Sequence, residues 1–286
     1  VETLDEQEWR RRAEAHERRV RAWIDPHLGR RQARRAHPVE DFLFTYYSFR
    51  PAKLRRWHPG AGVVLAGASG FGPEYADVPG GQRLDHAALL ERRMAMVEWT
   101  ARLLKATAGR GGQFGCFGMH EWAMVYRTDA VRHGGQPLRM APAEIARVVE
   151  ARGVRCSHFD AFRFFTEAAR PLNQLEPTRE RQAEMEQPGC LHANMDLYKW
   201  AYKLSPLVPS ELIADCFELA REIREVDMRA SPYDLRELGY RPIAIETAAG
   251  RTEYAGLQKR FAERAAPLRA RLLEVCEVLM EIDARV

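Results

Sequence analysis

Two adjoining stretches decide the fold class: LHANMDLYKWAYKL, residues 191–204, and SELIADCFELAREIREVDMR, residues 210–229. Both carry apolar residues at helical spacing, and Ser210 stands where a helix N-cap belongs. The same pattern recurs on either side. Residues 4–24 read as one charged helix with Trp9, Ala13, Val20 and Trp23 as a sparse apolar stripe, ended before His37-Pro38. Val39–Phe49 is dense in aromatics and predicts a buried helix, and Pro51 can start a further short turn. Asp85–Ala108 has an N-cap at Asp85 and stops at the glycines of 109–112. Helices are also expected over Pro142–Arg152, Asp160–Ala169 and Gly256–Ala284.

The rest is short. Residues 61–82 are rich in Gly and Pro and read as irregular, and Val154–Phe159 reads as extended. Pro242–Thr247 and Thr252–Tyr254 flank Ala248-Ala249-Gly250-Arg251, which predicts a small β-hairpin over 242–254. No internal repeat is present. The expected architecture is mainly α: a single helical domain over 1–286, with irregular Gly/Pro-rich segments and that one hairpin.

Composition narrows the class. With 46% apolar and 29% charged residues and no low-complexity tract, the chain has the make-up of a globular protein. Its apolar runs are too short to span a bilayer, and no basic-then-apolar leader opens it, so a cytoplasmic location without membrane association is expected. Five cysteines, an odd and scattered set, predict reduced thiols. Charge is uneven: residues 1–60 hold 14 Lys/Arg against 9 Asp/Glu, while the remainder hold 30 against 31. This basic, aromatic-rich N-terminal portion suits either DNA contact or a solvated helix with its own Glu partners.

Chemistry concentrates in the middle. Cys116…His120, Cys156-Ser157-His158 and Cys190-Leu191-His192 each have carboxylates nearby: Glu121, Asp160, and Glu186 with Asp196. Mixed sulfur, imidazole and carboxylate groups suit transition-metal binding or acid–base work. In an extended segment Cys156, His158 and Asp160 would share one side, because the period of a strand is two. In a helix His192 and Asp196 would share one face, introduced by Pro188-Gly189. His120, Cys156, His158, Cys190 and His192 are the candidate metal ligands. His120-Glu121 does not continue to a zinc-protease signature, since residue 124 is Met.

Other features explain themselves more simply. His37, His58, His86 and His133 read as local hydrogen-bonding groups. The glycines after Val63-Val64-Leu65 do not fit a dinucleotide-binding turn, and no Walker lysine follows them. Asp227-Met228-Arg229-Ala230-Ser231-Pro232-Tyr233-Asp234 ends a long helix with two acids that could contribute to a site, although an Asp–Arg ion pair with a capped turn explains it as cheaply.

The segments His37–Ser48, Arg50–Ala52, Leu54–Gly60, Cys156–Phe165, Glu186–Pro206 and Asp227–Leu235 carry a resemblance. Over nearly its whole length the chain resembles actinobacterial proteins of similar size described as 3-methyladenine DNA glycosylases. That resemblance implies a hydrolase that cleaves the N-glycosidic bond of alkylated purines in DNA repair. Such chemistry needs a carboxylate to steer water, aromatics to hold an extruded base, and a basic face for phosphates. Asp160, Glu186, Asp196 and Glu121 could supply the carboxylate; Trp122, Arg163, Tyr198 and Trp200 could bind substrate; the N-terminal arginines could meet DNA. No helix-hairpin-helix string or terminal Cys/His zinc clasp is recognisable, so these roles rest on chemistry alone.

Two other classes stay open. One is a helical metal- or haem-dependent oxidoreductase acting on a small molecule, with His192 or His158 as ligand and Arg163 and Arg179 holding propionates or a substrate carboxylate. The other is a non-catalytic nucleic-acid-binding protein.

Overall fold

The computed structural model describes residues 2–129 and 135–283. Its contacts group the chain into two compact units: Val1–Leu104 with Leu197–Glu218 and Leu268–Val286, and Lys105–Asp196 with Leu219–Pro267. Helix dominates, as the periodicity requires.

The first unit begins with strand β1 (Glu2–Leu4) and helix α1 (Glu6–Gln32). Asp5 caps α1 by accepting from the Glu8 N–H at 2.9 Å. The aromatic segment forms only the short α2 (Phe42–Tyr46), followed by α3 (Pro51–Arg55). Residues 61–82 are not irregular. They supply β2 (Val63–Ala66), β3 (Tyr75–Val78) and the start of β4 (Gly81–Leu84). The sheet runs β1-β2-β4-β3, with β1 parallel to β2 and the other pairs antiparallel. Four-residue strands offer too little alternation to stand out from loop, and pairing with neighbours is what stabilises them. Helix α4 (His86–Ala108) follows.

His58 lies at the heart of this unit, 5% exposed, with its Nδ1 3.0 Å from the Tyr75 hydroxyl. Burial, helped by the Arg56 charge, lowers its pKa to about 4. An unfolded histidine titrates near 6.5, so between these values the unfolded chain binds the extra proton. The neutral imidazole therefore contributes stability that is complete above about pH 6.5 and is lost as pH falls toward 4. Denaturant titrations are expected to lose about 3 kcal/mol from this group across that window. In His58→Gln the same window should flatten; an unchanged slope would show that another group carries it.

The second unit holds α5 (Met119–Ala123), α6 (Pro142–Arg152), α7 (Phe159–Phe162) and α8 (Gln182–Met185). It also takes the beginning of α9 (Leu191–Lys203), the end of α10 (Ser210–Ala230) and the beginning of α11 (Ala248–Asp283). The expected hairpin over 242–254 is absent: these residues contain no strand, and α11 starts inside them. Thr247 caps that helix, its Oγ1 accepting from the Gly250 N–H at 3.0 Å and its carbonyl from Arg251 at 3.2 Å. Gly250 is there for close packing, since a Cβ would stand 2.0 Å from the Ala244 carbonyl oxygen. An N-cap followed by a packing glycine had the look of a turn.

Among the described residues no helix is long and apolar enough to cross a membrane. All five cysteines are free thiols.

Candidate metal centre

The second unit gathers its polar residues from five short segments. α5 presents His120 and Glu121, both buried. The extended piece before α7 presents His158; Asn173 pins it, its Oδ1 accepting from the Cys156 N–H at 2.7 Å and its Nδ2 donating to the Cys156 carbonyl at 3.0 Å. Glu186 caps the end of α8. α9 brings His192 and Asp196, and α10 brings Arg224 and Asp227. Pro188-Gly189 sets the start of α9 tightly against residue 113: a Cβ on Gly189 would lie 2.5 Å from the Gln113 carbonyl oxygen.

Two triads result: His120, His192 and Asp227; and His158, Glu186 and Asp196. Within each, one potential ligand atom per residue lies within 4.8 Å of the others. In the first, His120 Nε2 donates to Asp227 Oδ1 at 2.7 Å. Arg224 Nη1 donates to Asp227 Oδ2 at 3.2 Å and to Glu121 Oε1 at 3.0 Å. In the second, His158 Nε2 sits 3.2 Å from Asp196 Oδ2 and 3.4 Å from Glu186 Oε1. His192 stands between the triads, its ring centroid 4.3 Å from that of His120 and 5.3 Å from that of His158.

Electrostatics divides the histidines. Burial opposes charge on His120, but the Asp227 carboxylate and its hydrogen bond, with Glu121 nearby, outweigh it and raise the pKa. Burial and the neighbouring His120 charge push His192 well below the ordinary range, so it is neutral with a ring nitrogen free to bind. Asp227 is desolvated as well, yet the charge and hydrogen bond of His120, with the Arg224 guanidinium, hold it ionised.

A cavity of about 20 Å³ opens beside His120 and His192, with Cys116, Cys156, Cys190 and Tyr254 also in its walls. Two of the Cys/His pairs read from the sequence, Cys116 with His120 and Cys190 with His192, thus reach one place; of the third only Cys156 lines it. Burial pushes the Cys156 thiol up to about 12 and raises the other two, so these three thiols are uncharged; Arg155 lines the same cavity. The cavity admits about one water-sized molecule.

The remaining candidates lie elsewhere. Asp160 does not join Cys156 and His158, because the extended piece ends at His158 and α7 begins; Asp160 pairs with Arg163 at 3.2 Å and lies 4.0 Å from Arg179. Trp122 is fully buried and donates to the Ala230 carbonyl at 2.9 Å. Tyr198 belongs to the first unit and packs among Tyr47, Tyr202 and Phe217, and Trp200 belongs there too, below Lys199 and Lys203. His133 lies outside the described residues.

The acid-bearing end of α10 does contribute to the site through Asp227, while Arg224 carries no motif in the sequence. A signal existed: the buried apolar stripe Ile213, Phe217, Ala220 continues at helical spacing into Arg224 and Asp227. Charged residues on an apolar face need a buried partner, and here they have His120 and Glu121.

Most N-terminal arginines are answered by acids: Arg10 by Glu6, Arg11 by Glu8, Arg12 by Glu211, Arg19 by Asp215 and Glu218, Arg21 by Asp25, and Arg30 by Asp41. Arg31, Arg34 and Arg35 instead line an open groove of about 470 Å³ with Phe44. Compared with protein-family models, with curated proteins and with solved structures, the chain matches none.

Proposed function

We propose that this chain is a metal-dependent enzyme, an oxidoreductase built on a non-haem transition-metal centre. The observation that carries this is the His120/His192/Asp227 triad, two imidazoles and one carboxylate with ligand atoms within 4.8 Å, beside a cavity. Two histidines and one carboxylate leave coordination positions open, the arrangement suited to iron(II) and dioxygen-type chemistry. His158, Glu186 and Asp196 offer a harder, more acidic second set, as iron or manganese prefers.

This chain's own residues have definite parts. Arg224, held between Glu121 and Asp227, orients the carboxylate. The proton between His120 and Asp227 is the one that a metal ion would replace, so metal uptake releases a proton. A metal, when bound, would supply redox capacity and an open position for a small molecule. The thiols and Tyr254 keep the cavity narrow. A haem would need a cavity more than ten times larger, since ligand pockets of that kind run to hundreds of Å³.

Elemental analysis after anaerobic reconstitution with iron(II) or manganese(II) tests the reading. At least one equivalent per chain, retained through desalting, is expected; no retained metal at either ion would overturn it.

A second reading, the DNA N-glycosylase, draws on the arginine groove. Under it, Arg31→Gln/Arg34→Gln/Arg35→Gln is expected to weaken duplex binding and reduce the slope of log K against log salt by roughly 2 to 3. An unchanged slope would remove the groove from that role.

A further inference from the structure

A second cavity, in the first unit, has a different character. It measures about 280 Å³ and collects Lys53 and Arg56, Arg93 of α4, Lys203 at the end of α9, and the rings of Phe49 and Tyr202. Four cationic residues from three separate stretches of chain thus line it, Lys203 with its ammonium also 5.3 Å from the Trp200 ring centroid. The one carboxylate in the walls, Glu74, is engaged by Arg56 at 3.3 Å. An anion placed among these cationic residues gains their attraction.

The guanidinium groups are held in advance. Arg56 Nη2 donates to the Phe71 carbonyl at 3.0 Å, and Arg93 Nη1 donates to the Ser205 carbonyl at 2.5 Å. Fixed donors lose little freedom on binding and suit the tetrahedral oxygens of phosphate. Ser48 and Ser205 add hydroxyl donors to the same walls. On the apolar side the cavity is bounded by Phe49 and Tyr202, which stack on one another with centroids 4.9 Å apart and planes 19° from parallel, so a ring placed there meets aromatic carbon. The volume is just below the usual range for small-ligand pockets, which limits the occupant to a compact molecule rather than a polymer strand.

We propose that this cavity binds a phosphate monoester carried on a planar ring, a ligand of mononucleotide size. Phosphate oxygens meet Lys53, Arg56, Arg93 and Lys203, and the ring lies toward Phe49 and Tyr202. None of these residues belongs to the histidine triads, so the site stands or falls independently of the metal centre.

Isothermal titration of the whole chain tests it, with adenosine 5′-monophosphate as the probe and adenosine and inorganic phosphate as comparators. One nucleotide per chain is expected, bound at least about tenfold more tightly than either comparator, because charge and ring contribute together. Lys53→Gln/Lys203→Gln should weaken the nucleotide by at least about tenfold while circular dichroism stays native, both lysines being exposed. The proposal is overturned if the nucleotide fails to bind, binds no better than adenosine or phosphate, or is indifferent to the double substitution.

Discussion

If the His120/His192/Asp227 triad holds a metal as proposed, exchange of His192 for alanine is expected to abolish metal retention there and leave the protein folded. The imidazole is neutral and stands at the junction of both triads, 4.3 Å by ring centroid from His120 and 5.3 Å from His158. Removing it strands no buried charge, so the structural cost is that of a partly filled cavity, about 1–3 kcal/mol. The effect on metal is larger. Residues that merely orient a ligand are worth 10- to 100-fold in affinity, and a direct ligand at least about a hundredfold. Metal per chain, measured after desalting beside the far-ultraviolet dichroism, should therefore drop while the helical signal persists. Native dichroism with undiminished metal would sink His192 as a ligand.

For Asp227→Asn the large effect is on stability. The carboxylate is fully buried and accepts from His120 Nε2 at 2.7 Å and Arg224 Nη1 at 3.2 Å. Asparagine keeps the shape and removes the charge, leaving a guanidinium and an imidazolium facing a neutral amide. Breaking one side of a buried ion cluster costs about 3–5 kcal/mol. Denaturant unfolding of the chelator-treated protein should show that loss as a lower midpoint with unchanged m. Because the carboxyl is held below its unfolded range, its contribution is present above about pH 4 and fades as pH falls further. A loss below about 1 kcal/mol would mean that Arg224 and His120 find other partners.

Several of these features could be read before any fold was known, and the reasons are local. The long helices followed from periodicity and caps, as with Ser210 opening α10. The pairing of His192 with Asp196 on one face followed from the 3.6-residue turn. What failed was also local: Thr247 and Gly250 fit a hairpin turn as well as a helix start, and the strands of 61–82 are too short to carry a period. Asp160 was grouped with His158 on the assumption that the extended piece continued two residues further than it does.

The sequence by itself determined that this protein is mainly helical and that its Cys/His pairs, with carboxylates close by, gather in its central third. Only the tertiary structure decided how those groups combine. It divided His192 and Asp196, one helical turn apart, between different triads, and it brought Asp227 and Arg224 to His120 across about a hundred residues of chain. The physical reason is range. Helical periodicity and capping act over a few residues, whereas a buried carboxylate must find its cation wherever packing places it.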